Sequence, residues 1–145
     1  MIRMLIVDDF IETAESLSQL YSLNKDVEIV GLAQNAEQLW QFLREQEVHF
    51  VSLDIEIGHE NGLELCQVLH EKYPNIFIVM CSIEATIENI RRATEAGAAY
   101  FLAKPISMKV VSEVLLRYSD YKREMNETVS PLTDENIDEL LNALK

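Results

Sequence analysis

Acidic side chains follow two apolar runs of this sequence, at the point where each run ends. The run over residues 4–7 leads into Asp8 and Asp9, and the run over residues 50–53 leads into Asp54. In a parallel sheet such positions converge on one crevice, where ligands bind in open α/β folds. Three clustered carboxylates repel one another and retain protons unless a cation neutralises them. Mg²⁺ prefers one or two carboxylates, retained waters and a phosphate, so the spacing predicts Mg²⁺-dependent phosphoryl chemistry.

Polar residues also follow two later apolar runs. Ser82 comes after the run at 76–81, and Lys104 follows the run at 99–102. A hydroxyl can hydrogen-bond a phosphoryl oxygen, and a lysine ammonium supplies a compact positive charge. Taken singly, Ser82 would be interpreted as a turn hydroxyl and Lys104 as a surface lysine. Their joint placement favours a phosphate on Asp54.

The elements that position these residues alternate between strand and helix. Predicted strands lie at 2–7, 27–31, 49–53, 76–81 and 99–102, separated by stretches with helical spacing. This alternation predicts a parallel sheet with helices on both faces, because crossovers are right-handed. In the fourth helical stretch, the predicted apolar face consists of Ile83, Ile87, Ile90 and Thr94.

The composition limits the classes of function. A net charge of −13 opposes attraction to nucleic acid, so we expect no direct nucleic-acid binding by this chain. No apolar run approaches the ~18 residues of a membrane helix, and no secretory signal is evident, so we expect no membrane partner and a cytoplasmic location. Cys66 and Cys81 lack a CxxC pattern, and we interpret both as buried thiols.

The pattern changes near the C-terminus. One domain is predicted over residues 1–125, followed over 126–145 by a polar linker and a short amphipathic helix. Four residues form the apolar stripe of this helix: Ile137, Leu140, Leu141 and Leu144. A helix this short is marginal alone. Docking on its own domain, the start of a truncated output region, dimerisation and partner capture all remain open.

Taken together, these motifs resemble the receiver domain of the two-component response-regulator family, which includes chemotaxis regulators. The resemblance covers residues 1 to about 125. It rests on VDD at 7–9, LDI at 53–55 with Gly62 beyond it, Ser82 after an apolar strand, and GAAYFLAKP at 97–105. It implies a flavodoxin-like, doubly wound (βα)5 fold with a five-stranded parallel sheet in the order 2-1-3-4-5.

The resemblance also implies a metal-ligand set. Asp54 resembles the phosphoacceptor and one of the Mg²⁺ ligands, Asp9 the direct ligand, and Asp8 the acid that holds the ion through water. The backbone carbonyl of Glu56 matches a further ligand. We expect the Glu56 side chain to face solvent.

A catalytic lysine and two switch residues are implied in the same way. Lys104 matches the phosphate-contacting lysine, Ser82 the switch hydroxyl, and Phe101 the aromatic whose rotamer reports activation. Pro105 matches a residue preceded by a cis peptide bond. Asp54 would attack phosphorus in line, while Mg²⁺ and Lys104 neutralise charge on the phosphoryl oxygens.

Two departures from the family pattern affect these expectations. Ile83 stands where Ala or Gly is usual, which predicts narrower access to the phosphoryl group and slow transfer or hydrolysis. Gly58 stands where Pro is common, which predicts a looser loop after Asp54.

The function implied by the resemblance is a signalling switch. The phosphoryl donor would be a sensor histidine kinase or a histidine phosphotransfer protein. Phosphorylation would change the surface of the fourth helix, the fifth strand (99–102) and the fifth helix, which follows that strand. This change would regulate a downstream protein or form a self-dimer. The chain would be no enzyme beyond catalysing its own phosphorylation and dephosphorylation.

Two alternatives remain open at this point. The first is a Mg²⁺-dependent phosphatase of the haloacid-dehalogenase type, since Asp54-Ile55-Glu56 weakly resembles its DxD motif. The second is a receiver-like scaffold that is never phosphorylated, which Ile83 keeps plausible. Turnover of a generic phosphate ester would favour the phosphatase, and Mg²⁺-dependent self-labelling the switch.

Overall fold

The computed structural model describes residues 1–128 and Asn142, with side chains described to residue 126 and at Asn142. The chain divides into two compact units, Met1–Val114 and Leu115–Lys145. Most of the predicted linker and terminal helix, including its apolar stripe, falls outside the described residues. Residues 126–128 continue a helix, so a linker beginning at residue 126 was wrong for these three positions.

The first unit is built on a parallel sheet of five strands. Its chain contains seven strands: β1 (Ile2–Val7), β2 (Val27–Ala33), β3 (Phe50–Asp54), β4 (Glu56–Ile57), β5 (Glu60–Asn61), β6 (Phe77–Ser82) and β7 (Tyr100–Ala103). The sheet has the order β2-β1-β3-β6-β7, and β4 pairs with β5 as a separate antiparallel hairpin. Counting only the parallel strands, the predicted order 2-1-3-4-5 is confirmed.

Helices connect the parallel strands. They are α1 (Ile11–Ser22), α2 (Ala36–Glu45), α3 (Gly62–Lys72), α4 (Ile87–Glu95) and α5 (Met108–Thr128), the last of which begins in the first unit and continues into the second. Local sequence determines where three of them start. The side chains of Asn35, Asn61 and Thr86 cap α2, α3 and α4 by accepting a hydrogen bond from a backbone N–H in the first turn.

The centre of the sheet is the hydrophobic core. Every residue of β3 and β6 is buried, as expected for parallel strands that are covered on both faces. Tyr21 of α1 packs edge-on against Phe50 with 5.6 Å between ring centroids, and Phe50 packs on Phe77. Cys66 and Cys81 are buried thiols, as predicted. Burial raises the pKa of the Cys81 thiol to about 11, so it stays protonated.

The predicted apolar face of the fourth helix was wrong. Ile83 is 70% exposed, Ile87 82% and Ile90 40%, while Ala93 is the buried residue of α4. The isoleucines do recur at helical spacing, but small Ala93, three residues beyond Ile90, makes the packed contact. Periodicity therefore located α4 correctly and assigned its buried face wrongly.

Among the described residues, no helix has both the length and the apolarity needed to cross a bilayer.

Candidate acidic site at the carboxyl edge of the sheet

Strand register brings the acidic residues together. β1 and β3 are neighbours, and Val7 pairs with Leu53, so Asp8 and Asp54 follow equivalent positions of adjacent strands. Ligand oxygens of Asp8, Asp9 and Asp54 all lie within 4.8 Å of one another. Asp8 and Asp54 are buried, and Asp9 is half-buried. The convergence predicted from the two sequence runs is confirmed.

One carboxylate oxygen of this cluster is buried without a hydrogen-bond donor among the described residues. Asp9 Oδ1 is buried and, among the described residues, has no hydrogen-bond partner. Asp8 Oδ1, by contrast, accepts the Phe10 N–H at 2.9 Å. A buried carboxylate oxygen without a donor is costly, and a divalent cation would satisfy it. The residues present therefore fit Mg²⁺, which binds through hard oxygen ligands.

Lys104 reaches the cluster from the edge strand of the sheet. It follows β7, and its Nζ lies 3.0 Å from Asp54 Oδ2 and 3.1 Å from Asp8 Oδ2. Burial alone would lower the pKa of Lys104, but its bonds to Asp54 and the charge of Asp8 outweigh burial and raise that pKa. Lys104 is therefore a firmly charged donor. The peptide bond between Lys104 and Pro105 is cis, as the resemblance implied.

Asp54 holds its proton more tightly than an ordinary aspartate. Burial raises its pKa to about 6, the negative charges of Asp8 and Asp9 add to this, and Lys104 opposes it. The lysine therefore neutralises only part of the cluster. The remaining negative charge is what a bound cation would offset.

Ser82 and Phe101 lie on neighbouring strands but are not joined to the acids by described hydrogen bonds. Ser82 is buried at the end of β6, and its Oγ accepts the Glu84 N–H at 3.0 Å. Ser82 pairs with Ala103, the residue before Lys104. Phe101 is half-buried and packs against the core. The switch roles of Ser82 and Phe101 stay predictions.

The loop after Asp54 makes a contact with the acidic cluster that the sequence did not predict. Glu56 and Ile57 form β4, and the Glu56 side chain is exposed, as expected. Gly58 has a φ of +55° and donates its N–H to Asp9 Oδ2 at 2.9 Å. The substitution of glycine for the family's proline was noticed in the sequence, but a bond between residues 49 positions apart has no sequence signal.

Gly62 closes this loop against the end of β3. Its N–H donates to the Ile55 carbonyl at 2.7 Å, and a side chain there would collide with the backbone carbonyl of Asp54. The glycine therefore permits the close return of the chain beneath Asp54.

Ile83 borders a groove next to the acidic site. The groove has a volume of about 590 Å³, and its lining includes residues of α1 with Ile83, Lys104 and Pro105. Ile83 is largely exposed, so its side chain stands at the rim. The predicted slowing of phosphoryl chemistry by Ile83 stays a prediction.

Fold and site together define a flavodoxin-like α/β domain with an acidic site at the carboxyl edge of its sheet. Its sequence matches the family described as "Response regulator receiver domain" over residues 4–116, and the chain belongs to that family. Receiver domains of two-component systems are phosphorylatable switches that interact with histidine kinases and downstream effectors. The phosphatase and scaffold alternatives are not favoured by this match.

Curated relatives carry the same domain within longer proteins. A protein-glutamate methylesterase/protein-glutamine glutaminase 3 of Burkholderia thailandensis is 36% identical over 106 residues, which are 72% of this chain and 29% of that protein. The transcriptional regulatory protein CitT of Bacillus subtilis is 26% identical over 123 residues, 85% of this chain and 54% of that protein. The chain thus spans about a third to a half of these relatives.

A solved structure shows the same fold. The crystal structure of a CheY-like response regulator receiver domain protein from Methanospirillum hungatei superposes with a TM-score of 0.75 at 23% sequence identity. The match covers 84% of this chain and 97% of that one.

Proposed function

We propose that Asp54 is the phosphoacceptor of this receiver domain and that Asp8, Asp9, Asp54 and the Glu56 carbonyl hold Mg²⁺. One observation carries the proposal: Lys104 bonds both Asp54 and Asp8, while the buried Asp9 Oδ1 is left without a donor. The lysine neutralises part of the charge on Asp54, and the unpartnered Asp9 Oδ1 leaves an oxygen for a cation. Phosphoryl transfer requires positive charge around the transferred group, which the lysine and a cation would supply together.

The reaction requires little covalent chemistry from the protein. An oxygen of the Asp54 carboxylate attacks phosphorus in line as the bond to the donor's histidine nitrogen breaks, and the freed imidazole is the leaving group. Lys104 turns from the Asp54 oxygen to a phosphoryl oxygen. A bound Mg²⁺ would supply further positive charge to the phosphoryl oxygens. Catalysis is mainly positioning and electrostatics.

Ser82 and Phe101 convert the new charge into a change of surface. The Ser82 hydroxyl accepts the Glu84 N–H, so its own proton is available to donate to a phosphoryl oxygen. Movement of Ser82 toward Asp54 breaks the bond to Glu84 and releases the start of the segment that leads into α4. Phe101, half-buried on adjacent β7, then turns inward to fill the space.

The donor in this proposal is a sensor histidine kinase or a histidine phosphotransfer protein, acting in the cytoplasm. The output is a changed surface of α4, β7 and α5, which regulates a downstream protein or forms a self-dimer. The exposed side chains of Ile83, Ile87 and Ile90 support a binding role for this side, because adjacent exposed isoleucines are unfavourable in water.

The test is self-labelling by a small phosphodonor. We would incubate the protein with acetyl phosphate and Mg²⁺ and measure its intact mass, with Asp54→Asn as the matched control. The expected result is a gain of one phosphoryl group in the parent protein only, abolished by chelation of Mg²⁺. A folded, Mg²⁺-binding protein that gains no mass would contradict the proposal, and so would equal labelling of Asp54→Asn.

A further inference from the structure

The β4–β5 hairpin contacts the acidic site through a backbone group at its turn. Gly58 lies at its turn and donates its N–H to Asp9 Oδ2. The other oxygen of the same carboxylate, Asp9 Oδ1, is the buried atom without a partner among the described residues. One oxygen of Asp9 is therefore restrained, and the other is left for a cation.

The hairpin is anchored at several points to the residues around it. Ile57 is 1% exposed and belongs to the hydrophobic core. Asn61 at the far end of the hairpin caps α3 by accepting the Leu63 N–H at 2.9 Å. Gly62 then returns the chain beneath Asp54. A donor anchored in this way holds its acceptor more firmly than one on a mobile loop.

A second contact links the hairpin to α2. Glu60 Oε2 accepts the N–H of Ala36, the first residue of α2, at 2.8 Å. A carboxylate at a helix N-terminus satisfies a free donor and is favoured by the helix dipole. The hairpin thus makes one bond to the acidic site and one to the start of α2.

We propose that Gly58 is a positioning residue for the cation site, and that the β4–β5 hairpin couples occupancy of that site to the N-terminus of α2 through Glu60. The proposal rests on the proposed function, because it takes Asp9 as a metal ligand. The Gly58 N–H holds the Asp9 carboxylate in the orientation that leaves Oδ1 free, so a cation meets a ligand that is already ordered.

Two principles give the expected direction of the effects. Groups that hydrogen-bond a metal-ligating carboxylate orient it and raise metal affinity. Coupling between two sites is reciprocal, so if the hairpin bonds favour the cation, the cation must favour the hairpin bonds. Mg²⁺ should therefore protect the Ala36 amide, and loss of the Glu60 bond should weaken Mg²⁺ binding.

A matched pair of substitutions isolates the Gly58 donor. Proline has no N–H and cannot adopt a φ of +55°, so Gly58→Pro removes the bond to Asp9. Asparagine keeps the N–H and tolerates positive φ, and a Cβ at this position lies 3.9 Å from Asp9 Oδ2, an ordinary contact. We would titrate both variants and the parent protein with MgCl₂ alone, following backbone amide shifts by NMR.

Mg²⁺ affinity should fall about fivefold to tenfold in Gly58→Pro and return to near the parent value in Gly58→Asn. Equal Mg²⁺ affinity in the parent protein and a folded Gly58→Pro would overturn the positioning role. A parent protein that binds no Mg²⁺ would overturn both this inference and the proposed function. Binding in the parent with unchanged variants overturns the inference alone.

Glu60→Ala tests the link to α2 without disturbing the turn, and remains informative if Gly58→Pro does not fold. Glu64→Ala is its control, because it removes the same charge from an exposed position of α3. In the parent protein, Mg²⁺ should slow hydrogen exchange of the Ala36 amide about twofold to fivefold. Glu60→Ala should lose that protection and bind Mg²⁺ about twofold more weakly, and Glu64→Ala should retain both. Protection that persists in Glu60→Ala would overturn the coupling.

Discussion

Lys104 Nζ lies 3.0 Å from Asp54 Oδ2, and this ion pair is largely buried. Asp54 nevertheless has a raised pKa, because burial and the neighbouring acids together exceed the effect of the lysine. The site is therefore under-neutralised as it stands. Several measurable properties follow from that imbalance.

Asp54→Asn should stabilise the cation-free protein at neutral pH. The folded-state pKa of about 6 lies above the ordinary value of 3.8, so between these pH values the folded protein binds more protons than the unfolded chain. The free energy of unfolding then falls as pH rises through that window. The gain in Asp54→Asn should be on the order of 2–3 kcal/mol above pH 6 and vanish below pH 4. Urea unfolding at several pH values with EDTA measures it.

Asp26→Asn provides the control for that measurement, because Asp26 is exposed and far along the chain from the acids. It should leave the pH profile of unfolding unchanged. A stability gain in Asp54→Asn that persists at pH 4 would show that ionisation of Asp54 is not its cause.

Lys104→Met should have the opposite effect. Without the ammonium, Asp8 and Asp54 face each other with no positive partner, so the free energy of unfolding at pH 7 should fall by about 2 kcal/mol. Saturating Mg²⁺ should recover part of this loss, because the cation replaces the missing charge. Thermal unfolding with and without Mg²⁺ measures both effects. Lys104→Arg keeps the positive charge, so its free energy of unfolding should fall less than that of Lys104→Met. Equal falls in the two variants would exclude a charge effect.

Ser82→Ala should separate labelling from the conformational response. Asp54, the proposed phosphoacceptor, is untouched, so mass gain from acetyl phosphate should persist. In the parent protein, phosphorylation should speed hydrogen exchange at the Glu84 amide as the Ser82 hydroxyl leaves it. Ser82→Ala should lack that phosphorylation-dependent change, and Ser82→Thr should keep it. An unchanged response in Ser82→Ala would remove Ser82 from the switch.

Gly62→Ala should be strongly destabilising, by about 2 kcal/mol or more, because the new side chain would collide with backbone that cannot easily move. Gly58→Ala is the informative comparison. A side chain there has open space and meets only an unfavourable φ. Gly58→Ala should therefore lower the free energy of unfolding by only about 1 kcal/mol. Chemical unfolding of both variants checks the order, and a larger loss at Gly58 would contradict the loop geometry.

Ile87→Ser should change the free energy of unfolding by less than about 0.5 kcal/mol, because the side chain is 82% exposed. Ala93→Ser, at the buried position of α4, should cost more. Thermal unfolding of the two variants measures the difference. A large loss in Ile87→Ser would restore the buried face predicted from periodicity.

The order of the parallel strands was predictable, since apolar runs such as that ending at Leu53 alternate regularly with helical stretches. The β4–β5 hairpin was not. Each of its strands has two residues, too few for a periodic signal, and the hairpin depends on burial of Ile57 and on the positive φ of Gly58. The prediction of the buried face of α4 failed for a related reason. Spacing shows which side chains share a face and not which face is covered.

The site was predictable in its members and not in its bonds. Asp8, Asp9 and Lys104 follow strands and Asp54 ends one, and parallel topology brings such positions to one edge. Their assigned roles stay predictions. Two features of Asp9 were not predictable: its bond from the Gly58 N–H and its second oxygen, which lacks a donor among the described residues. Both depend on side-chain rotamers and loop geometry, which residue types alone do not determine.

Lys104 is separated from Asp8 by 96 residues and from Asp54 by 50. Because a ribosome releases the chain from its N-terminus, all three acids emerge well before the lysine that partly neutralises them. A nascent chain that ends before β7 lacks both an edge strand of its sheet and the positive charge for its most crowded carboxylates. Completion of the sheet and relief of that repulsion therefore coincide during synthesis. If translation stalls before residue 104, the three carboxylates should be neutralised by cations alone, without the contribution that Lys104 makes in the finished chain.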